Sequence, residues 1–99
     1  MRIVFERTGG FAAMKMTKEI DTATLPAEET NQLRQLVDAA DFFHLPTTIT
    51  PKTPQPDRFG YRITIQESDH QHTVVTSEQA LPGTLRPLID WLMAAVRQR

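Results

Sequence analysis

Cysteine is absent from this chain of 99 residues. Disulfide-bonded scaffolds, zinc sites built from thiolates and cysteine nucleophiles are therefore excluded. Long apolar runs are also absent, so the sequence offers no candidate for a membrane-spanning helix. Charges at Arg2, Glu6 and Arg7 interrupt the segment where a signal peptide would carry its apolar region. We therefore expect a cytoplasmic protein, and a non-classical export route would leave no mark in the sequence.

The sequence also lacks an excess of charge of either sign. Eleven basic and twelve acidic side chains leave a net charge of −1. Nucleic-acid binding requires a clustered basic surface, and anionic membranes attract polybasic segments. The charge balance therefore predicts neither nucleic acid nor a membrane as a partner. The length suits one modest core, so residues 1–99 are predicted to form a single domain.

Apolar residues in alternation predict two β-hairpins. In the first, Ile3 and Phe5 share a face, and Gly9 and Gly10 supply the positive φ that a short connection needs. The second hairpin turns near Ser68 and returns through "HQHTVVT". The apolar face of its first strand consists of Tyr61, Ile63 and Ile65.

A helix is predicted after each hairpin. The first begins near Pro26, because the first turn of a helix tolerates a missing N–H. It is expected to include Phe42 and Phe43 and to end before Pro46. Thr84 is the predicted N-cap of the second helix. The apolar stripes are Leu33, Leu36, Val37 and Ala40 in the first helix, and Leu85, Leu88, Ile89, Leu92 and Val96 in the second.

The element order ββαββα predicts an α+β fold. It consists of a four-stranded, mainly antiparallel sheet with two helices packed on one face. Residues 44–57 separate the first helix from the second hairpin and contain Pro46, Pro51, Pro54 and Pro56. This composition predicts a stiff loop with polyproline character.

Motifs for catalysis are missing. The chain has no HExxH zinc-peptidase motif, no phosphate-binding loop and no dinucleotide fingerprint. Ser68 and Ser77 lie in turn-like positions without a nucleophile elbow. The carboxylates of Glu28 and Glu29 are better explained by their place near the positive end of a helix dipole. Elimination therefore favours a protein that is not an enzyme and needs no cofactor or small-molecule substrate.

His70 and His72 form the one candidate metal pair. At a spacing of i, i+2 on a strand they share a face and could bind one ion, with Asp69 or His44 as a third ligand. The alternative is an exposed strand start that carries polar side chains. We favour the alternative, because two histidines without a further motif are a weak signal.

Two loops carry the remaining candidates for binding. "TGGF" presents Phe11 beside a glycine tip, and "PDRF" presents Asp57 and Phe59 after Pro56. Either phenylalanine could instead pack in the core at a strand start. Asp57 could accept a hydrogen bond from backbone N–H in a turn, or project towards a positive group on a partner.

Four stretches occur in order along the chain: "FERTGGFA", "FFHLP", "PDRFGYRITI" and "LRPLIDWL". Together they resemble the emfourin family, small bacterial inhibitors of protealysin-like enzymes, which are zinc metalloproteases of the thermolysin family. The resemblance implies a small α/β domain without a catalytic centre that blocks the active-site cleft of such a protease with loops. The residues predicted to bind the protease are Gly9, Gly10, Phe11, Pro56, Asp57, Arg58 and Phe59.

The zinc of the protease suggests a role for one of these residues. A catalytic zinc keeps an open fourth position, and a carboxylate oxygen is a good ligand for it. We hypothesise that Asp57 occupies that position. The alternative function is a non-catalytic adaptor module that binds a different protein through the same loops.

Overall fold

The computed structural model of the protein describes residues 1–9, 14–49 and 60–97. Within these ranges the elements follow the order ββαββα. The strands form one sheet in which every pair of neighbours is antiparallel. The predicted α+β fold is therefore confirmed.

The first hairpin has the predicted strands. β1 spans Arg2–Gly9 and β2 spans Met14–Asp21, with Ile3 opposite Ile20. Gly9 ends β1 with a φ of 121°, which a residue with a side chain rarely adopts. Glycine is therefore required where the chain leaves this strand.

The first α-helix, α1, spans Ala27–Ala40 and follows directly after Pro26. Glu28 and Glu29 lie in its first turn, where negative charge complements the helix dipole. Of its apolar stripe, Leu36 is half-buried. The buried members of the stripe are Leu33, Val37 and Ala40. The predicted amphipathic helix is thus confirmed.

The end of α1 differs from the prediction. Asp41 takes the left-handed conformation with a φ of 52°, and its N–H donates to the carbonyl of Asp38 at 3.0 Å. A residue in this conformation terminates an α-helix. Phe42–His44 then forms a separate 3₁₀ turn that buries Phe42 and leaves Phe43 half-buried. The expected continuation of the helix through both phenylalanines is therefore wrong.

The second hairpin completes the sheet. β3 spans Gly60–Glu67 and β4 spans His70–Ser77, joined by a turn in which Ser68 has a φ of 54°. β3 also pairs with β1, so the order across the sheet is β2-β1-β3-β4. The two hairpins are thus joined through their first strands.

Part of the predicted loop 44–57 pairs with the sheet. Thr48 forms a parallel bridge to Val75 of β4. The N–H of Ile49 donates to the carbonyl of Val75 at 2.8 Å, and the N–H of Val75 donates to the carbonyl of Thr47 at 2.8 Å. Residues 50–57 of the loop lie outside the described residues. The outer edge of β4 is therefore covered beside Val75, where it would otherwise leave backbone groups unpaired.

The second α-helix, α2, spans Arg86–Arg97. The N–H of Ile89 donates to the carbonyl of Leu85, so helical hydrogen bonding starts one residue after the predicted N-cap, Thr84. The helix begins after Thr84 because a turn precedes it, in which the N–H of Leu85 donates to the carbonyl of Pro82 at 3.0 Å. No helix in the described part of the chain is long and apolar enough to cross a membrane.

One face of the sheet carries the core. Ile3, Phe5 and Ile63 on this face are fully buried, whereas Arg62 on the opposite face is exposed. Both helices contribute to the same cluster. Its buried apolar members are Ile3, Phe5, Ile20, Leu33, Val37, Ala40, Phe42, Tyr61, Ile63, Ile65, Val74, Leu85, Leu88, Ile89 and Leu92. Both helices therefore pack on one face, as predicted.

Candidate functional site

Two segments of the chain attach at the same end of the sheet. Gly9, the last residue of β1, pairs with Met14, the first residue of β2. Thr8 pairs with Gly60, the first residue of β3, and Gly60 also pairs with Ser77, the last residue of β4. We call the end of the sheet marked by Gly9, Met14, Gly60 and Ser77 the loop end. Segments 10–13 and 50–59 are therefore both joined to the sheet there.

The residues that precede segment 50–59 also lead towards the loop end. Residues 47–49 run parallel to β4, which ends at the loop end with Ser77. Ile49 hydrogen-bonds to Val75, close to that end. Segment 50–59 thus follows Ile49, which lies beside β4, and precedes Gly60, the first residue of β3.

The predicted binding residues relate to the loop end as follows. Gly9 is at the loop end, with the positive φ that the sequence predicts. The others lie outside the described residues, in the two segments that attach there: Gly10, Phe11, Pro56, Asp57, Arg58 and Phe59. The structure thus brings together the attachment points of the two segments, which no pattern in the sequence indicated.

A polar network underlies the loop end. The hydroxyl of Tyr61 donates to one carboxylate oxygen of Glu78 at 2.5 Å. The other oxygen of Glu78 accepts a hydrogen bond from the guanidinium of Arg86. Tyr61 is the second residue of β3, Glu78 follows β4, and Arg86 begins α2. One carboxylate therefore links three elements of the fold.

Burial and charge perturb the pKa values of this network. Burial of the Tyr61 ring raises the pKa of its hydroxyl to about 12, and the hydrogen bond to Glu78 acts in the same direction. Hydrogen bonds from Tyr61 and from Arg86 hold the pKa of Glu78 below its usual value. The positive charge of Arg7, opposite Tyr61 on β1, also lowers the pKa of Glu78. The carboxylate is therefore ionised, and the phenol protonated, at neutral pH.

Sequence reasoning missed this network. It placed Tyr61 on the apolar face of a strand but assigned no partner to its hydroxyl. The only signal was the residue type, because a buried tyrosine hydroxyl usually finds a polar partner. Nothing in the local pattern identifies Glu78, which is 17 residues further along the chain.

The outer face of the sheet beside the loop end is polar. A shallow pocket of about 260 Å³ lies there, next to Gly60 and Arg62. Lys15 and Glu6, which also line it, form an ion pair at 3.4 Å. A Cβ on Gly60 would come within 3.4 Å of the Thr8 hydroxyl, so this position accepts a larger residue only with a small adjustment of Thr8. The surface next to the attachment points is thus mixed in charge.

Comparison with known proteins identifies the family. A sequence model of the Emfourin family matches residues 5–93, nearly the whole chain. The chain belongs to the Emfourin family. No curated protein and no solved structure matches it significantly. The resemblance predicted from the sequence is therefore confirmed, and membership of the Emfourin family supports a role as a protease inhibitor rather than an enzyme.

The histidines of this Emfourin member have structural contacts. His72 donates through Nε2 to the carbonyl of Leu45 at 2.7 Å, and its ring makes an edge-to-face contact with Phe42 at a centroid distance of 5.6 Å. His44 Nδ1 is hydrogen-bonded to the Oδ1 carboxylate oxygen of Asp41 at 2.6 Å. Among the described residues no group of three or more His, Cys, Asp or Glu could hold a metal ion. Asp69 and His44 therefore do not complete a site with His70 and His72.

A larger pocket lies away from the loop end. It has a volume of about 430 Å³ and is lined by residues of both helices and β2, including Glu29, Gln32 and Trp91. The indole N–H of Trp91 donates to Gln32 at 3.2 Å across the two helices. This hydrogen bond joins the two helices of this protein at the rim of its core.

Proposed function

We propose that this protein inhibits a thermolysin-like, protealysin-type zinc metalloprotease by inserting segments 10–13 and 50–59 into the active-site cleft. Membership of the Emfourin family supports inhibition of a protease in general. The observation that carries the loop mechanism is the pairing of Thr8 with Gly60 and of Gly9 with Met14. Because these pairs attach both segments at the loop end, one protease cleft is able to receive both.

Asp57 is the proposed zinc ligand. The catalytic zinc of a metalloprotease has three protein ligands and an open position for water or substrate. A carboxylate oxygen binds zinc at about 2.0–2.2 Å. Asp57 would thereby displace the water that attacks the peptide bond, and the protease would lose its nucleophile.

Phe11 and Phe59 are the proposed apolar anchors. A phenylalanine side chain buries about 150–200 Å² in an apolar pocket. At about 25 cal/mol per Å², this burial contributes on the order of 4–5 kcal/mol before the loss of conformational entropy is subtracted. Pro54 and Pro56 reduce that loss by restricting the unbound chain, and they remove N–H groups that a protease uses to hold a substrate strand.

The test measures the residual peptidase activity of a thermolysin-like protease as this protein is added. We expect stoichiometric loss of activity with the wild-type chain. Asp57→Ala is expected to raise the inhibition constant about thirtyfold or more, because hot-spot residues at interfaces contribute about 2 kcal/mol or more each. The melting temperature should change little.

A matched control is available at the opposite end of the sheet. Asp69 lies in the turn between β3 and β4, is exposed, and is remote from the loop end. Asp69→Ala should inhibit like the wild-type protein. If Asp57→Ala lowers stability and leaves inhibition intact, Asp57 is a turn residue and the zinc-ligand proposal is wrong. If the wild-type protein leaves the protease active, the proposed function itself is wrong.

A further inference from the structure

The carboxylate of Glu78 joins the start of β3 to the start of α2. Tyr61 donates to it from β3 at 2.5 Å, and Arg86 donates to it from α2. The ring of Tyr61 is stacked on Phe5 at a centroid distance of 6.0 Å, and only 5% of the residue is exposed. The hydroxyl is therefore held in place by the core and presents the carboxylate with one fixed donor.

This contact lies next to an attachment point of segment 50–59. Tyr61 directly follows Gly60, where the segment joins the sheet. Glu78 directly follows Ser77, the partner of Gly60. The network therefore braces the strand ends at the loop end against α2, in addition to the ladder hydrogen bonds. A binding segment attached to a braced strand loses less conformational entropy when it binds than one attached to a fraying strand.

We infer that Glu78 is a positioning residue for protease binding: through Tyr61 and Arg86 it holds in place Gly60, where binding segment 50–59 ends and joins the sheet. The inference rests on the proposed function. Glu78 itself touches neither the protease nor its zinc. Its effect is on the preorganisation of the loop end.

The chain offers a closely matched control for Glu78. Glu67 accepts a hydrogen bond from Arg34, as Glu78 does from Arg86. The side chains of the two glutamates are 34% and 29% exposed, and those of the two arginines 48% and 46%. Glu67 is the last residue of β3, at the end of the strand opposite Gly60. Glu67→Ala therefore removes the same kind of ion pair far from the loop end.

The first measurement is inhibition of a thermolysin-like protease by the purified variants. Glu78→Ala removes the hydrogen bonds from both Tyr61 and Arg86 and is expected to raise the inhibition constant at least about tenfold. Tyr61→Phe removes only the hydroxyl and should weaken inhibition in the same direction. Glu78→Gln keeps an acceptor for Tyr61 and should restore most of the inhibition. Glu67→Ala should inhibit like the wild-type protein.

The second set of measurements uses the free protein and needs no protease. The chain has a single tyrosine, so absorbance of the phenolate reports on Tyr61 alone. Glu78→Ala should lower the midpoint of this titration, whereas Glu67→Ala should leave it unchanged. Amide hydrogen exchange of residues 60–62 should be faster in Glu78→Ala than in Glu67→Ala.

The outcomes separate the two proposals. If Glu78→Ala exchanges faster at residues 60–62 and inhibits more weakly than Glu67→Ala, the positioning role is supported. If both variants inhibit equally well while the wild-type protein is a potent inhibitor, the positioning role is wrong and the proposed function stands. If the wild-type protein does not inhibit, the proposed function fails, and the role of Glu78 in binding fails with it.

Discussion

Tyr61 illustrates how one residue serves both the core and the surface. Its ring packs on Phe5 within the core, and its hydroxyl reaches Glu78 at the loop end. Burial of the ring makes the ionised phenolate unfavourable, and the negative charge of Glu78 adds to the effect. Folding therefore favours the protonated form of the Tyr61 hydroxyl.

The raised pKa of Tyr61 predicts a loss of stability at alkaline pH. The folded pKa is about 12, whereas an unfolded tyrosine has a pKa of about 10. A group whose pKa is raised by folding stabilises the protein fully below the unfolded pKa, and this contribution is lost as the pH rises through the folded pKa. We expect the free energy of unfolding to fall between about pH 10 and pH 12, by up to about 2–3 kcal/mol.

Spectrophotometric titration and denaturant unfolding at a series of pH values measure this effect. Tyr61→Phe is the control, because it has no ionisable phenol and retains the same lysines. Its stability should decline less over the same pH range. A titration midpoint near pH 10 in the folded wild-type protein would contradict the prediction.

At the scale of single elements, α1 depends on its buried stripe rather than on an N-terminal cap. Its N-cap is Pro26, whose side chain makes no capping hydrogen bond. Leu33, Val37 and Ala40 are buried on the face towards the sheet. Helices in proteins gain most of their stability from the packing of such a face. The apolar period of the sequence was therefore sufficient to predict the helix, although not its last turn.

Leu33→Ala tests this dependence. Leu33 is fully buried, so its truncation leaves a cavity in the core and should lower the free energy of unfolding by about 2–5 kcal/mol. Gln35 is exposed on the opposite side of α1, and Gln35→Ala should change stability by less than about 0.5 kcal/mol. Denaturant unfolding monitored by circular dichroism measures both values. Equal stability of the two variants would show that the stripe does not support the helix.

At the scale of the whole molecule, both helices and all four strands share one cluster of buried residues. The radius of gyration is 13.3 Å, close to the value of about 13 Å for a compact domain of about 100 residues. A single core of this size usually unfolds in one cooperative step. We therefore expect the loop end and the helix pair to unfold together.

Two intrinsic probes allow this prediction to be checked. The chain has one tryptophan and one tyrosine. Trp91 reports on the helix pair through its bond to Gln32, and Tyr61 reports on the loop end. Tryptophan fluorescence and tyrosine absorbance should give the same denaturant midpoint. Two separate midpoints would indicate that the loop end opens independently of the helices.

The sequence by itself determined the elements and the buried faces. Strands and helices follow from periods of two and 3.6 residues, which are local properties of the chain. For this reason Tyr61, Ile63 and Ile65 were correctly assigned to one buried face. The four motifs that resemble the emfourin family also lie within the sequence, and the family followed from them.

Only the tertiary structure decided how these elements meet. The pairing of β1 with β3 places Thr8 opposite Gly60, 52 positions apart by their residue numbers, and thereby joins both segments to the loop end. The link from Tyr61 through Glu78 to Arg86 depends on the same packing. Both features depend on contacts between distant residues, and a local pattern carries no record of such contacts.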